Sequence, residues 1–115
     1  YGNMGLAYEE QRLLEESHRS HFQALKIFQK LNNNERIATT LNNIGSVYHK
    51  IGKLDSALHY INESALVRKQ INDRYGFSES LNNLGVLLRN NGRFKEAESN
   101  FLKCLEVREQ LNDHN

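Results

Sequence analysis

His18 and His21 stand three residues apart in "HRSH", with Glu15 three residues earlier. On a helix this spacing sets three metal-capable side chains along one face. The packing reading is stronger. His21 falls where later, similar segments carry Ile61 and Phe101, so its ring reads as part of an apolar stripe and no metal is expected. Cys104 is the single cysteine, which excludes an internal disulfide and a cysteine-based zinc cluster. A nucleophilic thiol needs a neighbouring base or cation, and no His or acid recurs at a spacing that supplies one. Cys104 aligns instead with the small residues Ala24 and Ser64, a packing position. Gly52 and Gly92 are isolated, so no glycine-rich loop cradles a phosphate. The chain therefore reads as non-catalytic and free of cofactors. The polar groups that do recur are asparagines, in "LNNIG" (Leu41–Gly45) and "LNNLG" (Leu81–Gly85).

The 115 residues make one domain. A content of 38% hydrophobic and 25% charged residues is that of a soluble globular chain, and the net charge of +1 creates no field that draws nucleic acid or an anionic membrane. The Tyr and Phe residues fall mostly on apolar stripes rather than on a stacking platform for bases. No apolar run approaches the roughly 20 residues of a membrane span. The chain begins at Tyr1 rather than Met, which reads as a piece of a larger protein. A cytoplasmic location is favoured, with a periplasmic sensor region as the alternative.

A shift of 40 residues lays the chain on itself. Leu41, Asn42, Asn43, Gly45, Gly52, Ala57, Val67, Arg68, Gln70, Asn72 and Asp73 meet identical residues, from Leu81 to Asp113. The same shift brings Tyr1, Asn3, Met4, Gly5 and Tyr8 under Leu41, Asn43, Ile44, Gly45 and Tyr48. The expected units are roughly 1–33, 34–73 and 74–115, the first lacking its beginning. Each reads as two helices. Ile37, Leu41, Ile44, Tyr48 and Ile51 recur at helical spacing, as do Leu54, Ala57, Leu58, Ile61, Ala65 and Ile71. Asn33 or Asn34 is an N-cap, Gly52 a C-terminal glycine, and Asp73 a cap for the next helix. In the first unit Arg12 occupies the place of the turn glycine, and a turn is still expected there. Gly45 and Gly85 lie on apolar faces opposite Ala57 and Ala97, which predicts close helix–helix approach despite a helix cost of about 1 kcal/mol.

This arrangement resembles the tetratricopeptide repeat. Leu41, Ile44, Gly45, Tyr48, Ala57 and Ile61 fill its pattern, as do Leu81, Leu84, Gly85, Leu88, Ala97 and Phe101. Tyr1, Met4, Gly5 and Tyr8 fill the first half of one unit, while Ser17 and His21 fill its second half poorly. The chain departs from the family in three ways: Leu replaces the usual tryptophan, the closing proline is absent, and the period is 40 rather than 34. The longer repeat is similar to those of kinesin light chains, Leu-Gly-Asn-type adaptors and bacterial signalling proteins. The resemblance implies an all-α, right-handed superhelix of antiparallel helix pairs with about three repeats, its first helices lining a concave groove.

On the first helix of each unit, Asn3, Asn43 and Asn83 lie opposite the core side and should form a row along that groove. A primary amide carries donor and acceptor side by side and can pair with an extended peptide backbone. The row resembles the asparagine ladder in the repeat superhelix of O-GlcNAc transferase. Asn42 and Asn82 border it, and Ser46, His49, Lys50, Glu79 and Arg89 add side-chain specificity. Family members that clamp chaperone carboxylates use Lys, Asn and Arg. The matching positions here read Gly2, Leu6, Asn43, Glu79 and Asn83, which excludes that activity. The implied function is a non-catalytic module that binds a peptide or protein partner. One alternative is a sensor segment of a bacterial signalling protein acting through superhelix bending or oligomerisation. Another is an accessory domain of an enzyme. No capping helix with a polar outer face is visible, so the last helix, with Phe101, Leu105 and Leu111, is expected to leave an apolar edge and to favour self-association.

Overall fold

The computed structural model describes the backbone of residues 2–113 and the side chains of residues 10–112. It contains five helices: α1 (Gly2–Lys30), α2 (Asn34–Lys50), α3 (Leu54–Gln70), α4 (Arg74–Asn90) and α5 (Phe94–Asp113). Each turn between them is three residues long and is built the same way. Its middle residue is left-handed: Asn32 (φ 53°), Gly52 (φ 83°), Asn72 (φ 60°) and Gly92 (φ 80°). The amide after that residue reaches back to the helix it leaves, as in Lys53 N–H to Tyr48 C=O at 2.9 Å and Asp73 N–H to Arg68 C=O at 2.9 Å. These bonds, with Gly52 N–H to His49 C=O at 3.0 Å, satisfy carbonyls that a helix end would otherwise orphan. The residue that closes one helix also opens the next. Asn33 accepts from the Arg36 amide at 3.2 Å and Asp73 from the Gly76 amide at 2.9 Å.

Position 12 is the next in this series toward the N-terminus, and there the expected turn is absent. α1 runs unbroken from Gly2 to Lys30, a 29-residue helix. An L-residue with a full side chain costs roughly 1–2 kcal/mol in the left-handed state, and Arg is also a good helix former. Its neighbours Glu9, Glu10, Gln11, Leu13, Leu14, Glu15 and Glu16 share that preference. The exposed pair Arg12–Glu16, 3.8 Å apart, adds a few tenths of a kcal/mol at most. The first unit therefore has no helix pair of its own.

The rest packs as two antiparallel pairs, α2 with α3 and α4 with α5, stacked in an elongated body. With α1 included, the chain has a radius of gyration of 15.9 Å, against about 13 Å for a compact domain of this length. Ala57 is fully buried with Ile61, Leu84 and Leu87 around it, and Ile44, also fully buried, packs with Leu25 and Leu41. A Cβ on Gly45 would come within 2.5 Å of Ile61 Cγ1, and one on Gly85 within 2.6 Å of Phe101 Cε1. Close approach is thus the reason for both helix glycines. A polar tie reinforces each pair. In the first pair the buried Ser64 hydroxyl donates to the Ala38 carbonyl at 2.6 Å. In the second, Cys104 holds Ser64's place, buried, and Ser78 holds Ala38's. The Ser78 hydroxyl donates to the Tyr75 carbonyl at 2.7 Å and accepts from Arg108 Nε at 3.2 Å.

α1 docks on this body through an aromatic cluster. His18 meets Phe22 and Tyr48 edge-on, at centroid distances of 5.1 and 4.2 Å. Tyr48 stacks on Tyr60, which in turn meets Phe22 edge-on. Burial, then Tyr48 and Glu63, pushes the Tyr60 phenol up, so it stays neutral. Burial, then the charges of His21 and Lys53, holds His18 below the ordinary imidazole value. At the other end, α5 exposes Phe94, Leu102 and Leu105, whereas Phe101 and Leu111 are half-buried.

Gly85→Ala is expected to destabilise the fold by up to about 2 kcal/mol, because overpacking of about 1–3 kcal/mol against the Phe101 ring offsets or exceeds the roughly 1 kcal/mol gained in helix propensity. A denaturant-unfolding double-mutant cycle with Phe101→Leu should show strong coupling, and additive effects would contradict the close approach. His18 resists protonation in the folded chain, whereas the unfolded chain takes up the proton near pH 6.5. Stability is therefore full above about pH 6.5 and falls as pH drops through that value toward the lower folded one. Unfolding midpoints between pH 7.5 and 5 should fall less in His18→Leu, which carries the side chain found at the matching Leu58.

Candidate binding groove

α2 and α4 are successive first helices, one 40-residue step apart in sequence. Each buries one stripe, Leu41, Ile44 and Gly45 on α2 and Leu81, Leu84 and Gly85 on α4. The opposite stripe is left outside. Asn43, Ser46, His49 and Lys50 are exposed on α2, as are Glu79, Asn83 and Arg89 on α4. Asn42 and Asn82 sit at the border and are half-buried. Asn3 lies outside the residues whose side chains are described.

Between the two helices runs an open cleft of about 210 Å³ lined by Ser46, His49, Ile61, Asn83, Val86 and Leu87. Ile61, from α3, and Leu87 give it an apolar floor, and Ser46, His49 and Asn83 a polar rim. At its edge Asn83 Nδ2 donates to Asn42 Oδ1 at 3.4 Å, a long bond across the two units. The asparagine bonded to Asn83 is thus Asn42, the neighbour of the Asn43 in the expected row. Asn43 stands beside them, exposed. The cleft is smaller than the roughly 300–1,000 Å³ of small-molecule pockets. It is wide enough for a side chain of an extended segment lying across both helices.

The remaining expected groove residues are dispersed. Lys50 and Glu79 are exposed and form no ion pair with each other among the described residues. Arg89 holds the place of His49 one unit on. Its guanidinium lies 5.8 Å over the Phe101 ring, at the mouth of an apolar cleft with Phe94, Ala97, Leu102 and Leu105. That cleft is walled by α4 and α5. Among the described residues, no three His, Cys, Asp or Glu side chains converge on a point that could hold a metal ion. No described helix is long and apolar enough to cross a membrane.

The Asn42–Asn83 contact and the floor of Ile61 and Leu87 were not foreseen from the sequence. A wheel drawn for one helix does not show which residue of the next unit it meets. The signal available was the 40-residue register itself, which sets Asn83 one unit below Asn43 and leaves Asn42 on the side turned toward it.

Two family models described as tetratricopeptide repeat match the chain, over residues 1–70 and 78–115. The comparison with curated proteins gives no match. Among solved structures, the crystal structure of BtubC (BKLC) from P. vanneervenii superposes with a TM-score of 0.78 at 24% identity. The superposition covers 96% of this chain and 46% of that one, so the chain spans under half of its neighbour's length. That likeness supports the all-α solenoid fold. Repeats of this kind generally mediate protein–protein interaction and are generally non-catalytic. From the match over residues 1–70 and the two stacked helix pairs, the chain belongs to the tetratricopeptide repeat family.

Proposed function

We propose that the chain is a protein-interaction module that holds an extended peptide across α2 and α4. The observation that carries this reading is the meeting of the Asn42 and Asn83 amides at the rim of a cleft with an apolar floor. Asn43 and Asn83, with Asn42 beside them, would pair with the N–H and C=O groups of the peptide backbone. The floor of Ile61 and Leu87 would take one apolar side chain. Ser46 and His49 would select its neighbours, and Arg89 would continue the track toward α5. Nothing in this arrangement asks for a cofactor. The partner is a peptide or protein segment, and the module would serve as a scaffold within a larger protein.

A second reading is supported by the two ends of the stack. Phe94, Leu102 and Leu105 on α5 and Leu13, Ile27 and Leu31 on α1 are each more than half exposed. Association of copies through these end helices would give the module a regulatory role through oligomerisation.

Peptides selected from a displayed random 12-residue pool provide the probe for the groove. Binding of the selected peptides, read by fluorescence anisotropy, should weaken roughly tenfold or more in the Asn43→Ala/Asn83→Ala double variant, since each hydrogen bond contributes about 0.5–1.5 kcal/mol. Thermal unfolding should be nearly unchanged, because both side chains are exposed. Unaltered binding by a folded double variant would refute the groove assignment.

A further inference from the structure

We infer that Asn91 is a site of spontaneous deamidation, held in check by the α4–α5 turn and released when that turn opens. Asn91 is the one asparagine of the chain that is followed by glycine. Gly92 has no side chain to crowd its main-chain nitrogen, so attack by that nitrogen meets little steric obstruction.

The reaction needs only water. The Gly92 nitrogen attacks the side-chain carbonyl carbon, Cγ, of Asn91 and a C–N bond forms. The Cγ–Nδ2 bond breaks, and ammonia leaves with the proton from Gly92. The product is a five-membered succinimide. Water then opens the ring at either carbonyl. One opening gives aspartate. The other gives isoaspartate, in which the main chain runs through Cγ and gains a methylene.

Three features of the folded turn oppose the first step. The nucleophile is engaged, because Gly92 N–H donates to the Arg89 C=O at 3.1 Å. The leaving group is engaged too, because Asn91 Nδ2 donates to the Leu87 C=O at 2.7 Å. Asn91 has φ −107° and ψ 16°, which turns the Gly92 nitrogen toward Asn91's own nitrogen and away from Cβ and Cγ. Ring closure therefore waits for the turn to open. Residues 89–93 are all exposed, so opening is local and leaves the buried core in place.

The α2–α3 turn shows what the amide adds. It has the same left-handed glycine, Gly52, and the same closing bonds, but Ile51 stands where Asn91 does and offers no carbonyl to attack. Ile51 N–H bonds to the Val47 C=O at 3.1 Å, whereas Asn91 N–H bonds to the Leu88 C=O and leaves the Leu87 C=O to the side-chain amide. Deamidation removes that donor. It also sets a carboxylate beside the last carbonyls of α4, where negative charge is unfavourable. Isoaspartate further lengthens the main chain inside the bond that closes the turn, Arg93 N–H to Leu88 C=O at 2.9 Å. The modification thus loosens the α4–α5 pair.

Fragment mass spectrometry tests this, with the chain and a synthetic peptide of residues 86–97 incubated side by side in mildly alkaline buffer. Replacement of ammonia by water should appear at residue 91 in both, and roughly tenfold to a hundredfold more slowly in the folded chain, as local opening requires. Urea sufficient to unfold the chain should bring its rate up to the peptide's. The modified chain, separated by anion exchange, should unfold at a lower denaturant concentration than the fresh chain. Asn91→Ile, which copies the α2–α3 turn, should keep its unfolding midpoint through the same incubation. Equal rates in the folded chain and the peptide would overturn the protection assigned to the turn. Absence of product at residue 91 after several peptide half-lives would overturn the site. A modified chain that unfolds with the fresh one would overturn the loosening of the α4–α5 pair.

Discussion

The left-handed residue at the centre of each turn is the constraint on which the rest of the structure depends. Asn32, Gly52, Asn72 and Gly92 recur every 20 residues, and each ends a helix by a conformation that only Gly, and less readily Asn, adopts at low cost. Because the closing residue of one helix is the opening residue of the next, no slack separates them. The regular spacing fixes 17-residue helices for α2, α3 and α4. Helices of equal length joined by identical turns stack in register, and register brings Gly45 to Ile61 and Gly85 to Phe101. Where the series fails, at Arg12, the helix does not end, and the architecture at that end changes with it.

Register also builds the groove. The two first helices bury equivalent stripes, so equivalent polar faces are left side by side. The cleft exists because Ile61 from α3 fills the space between them from below without reaching the rim. Its amide pair, Asn42 with Asn83, is a consequence of stacking one unit on the next. One unit further on, Arg89 lies over Phe101 at an open apolar cleft between α4 and α5.

Much of this was legible in the residues. The period, the helix pairs of the second and third units, the packing role of Gly45 and Gly85, the caps at Asn33 and Asp73 and the small-residue role of Cys104 follow from spacing and local chemistry. Two features were not. A turn at Arg12 is what the repeat register demands, but helix propensity over Glu9–Glu16 opposes it, and no packing partner forces the break. Register and propensity conflict there, and spacing alone does not decide between them. The pairing of Asn42 with Asn83 depends on how one unit leans on the next, which a helical wheel does not contain. Asn32 and Asn72 carried a readable signal, since Asn is the usual substitute for Gly in the left-handed region.

Backbone NMR of the unaltered chain addresses the central claim most directly, because chemical shifts and three-bond HN–Hα couplings report the sign of φ residue by residue. The account predicts positive φ at Asn32, Gly52, Asn72 and Gly92, and helical, negative φ at Arg12 with unbroken helical shifts on both sides of it. A positive φ at Arg12, or negative φ at Asn32 or Asn72, would contradict it.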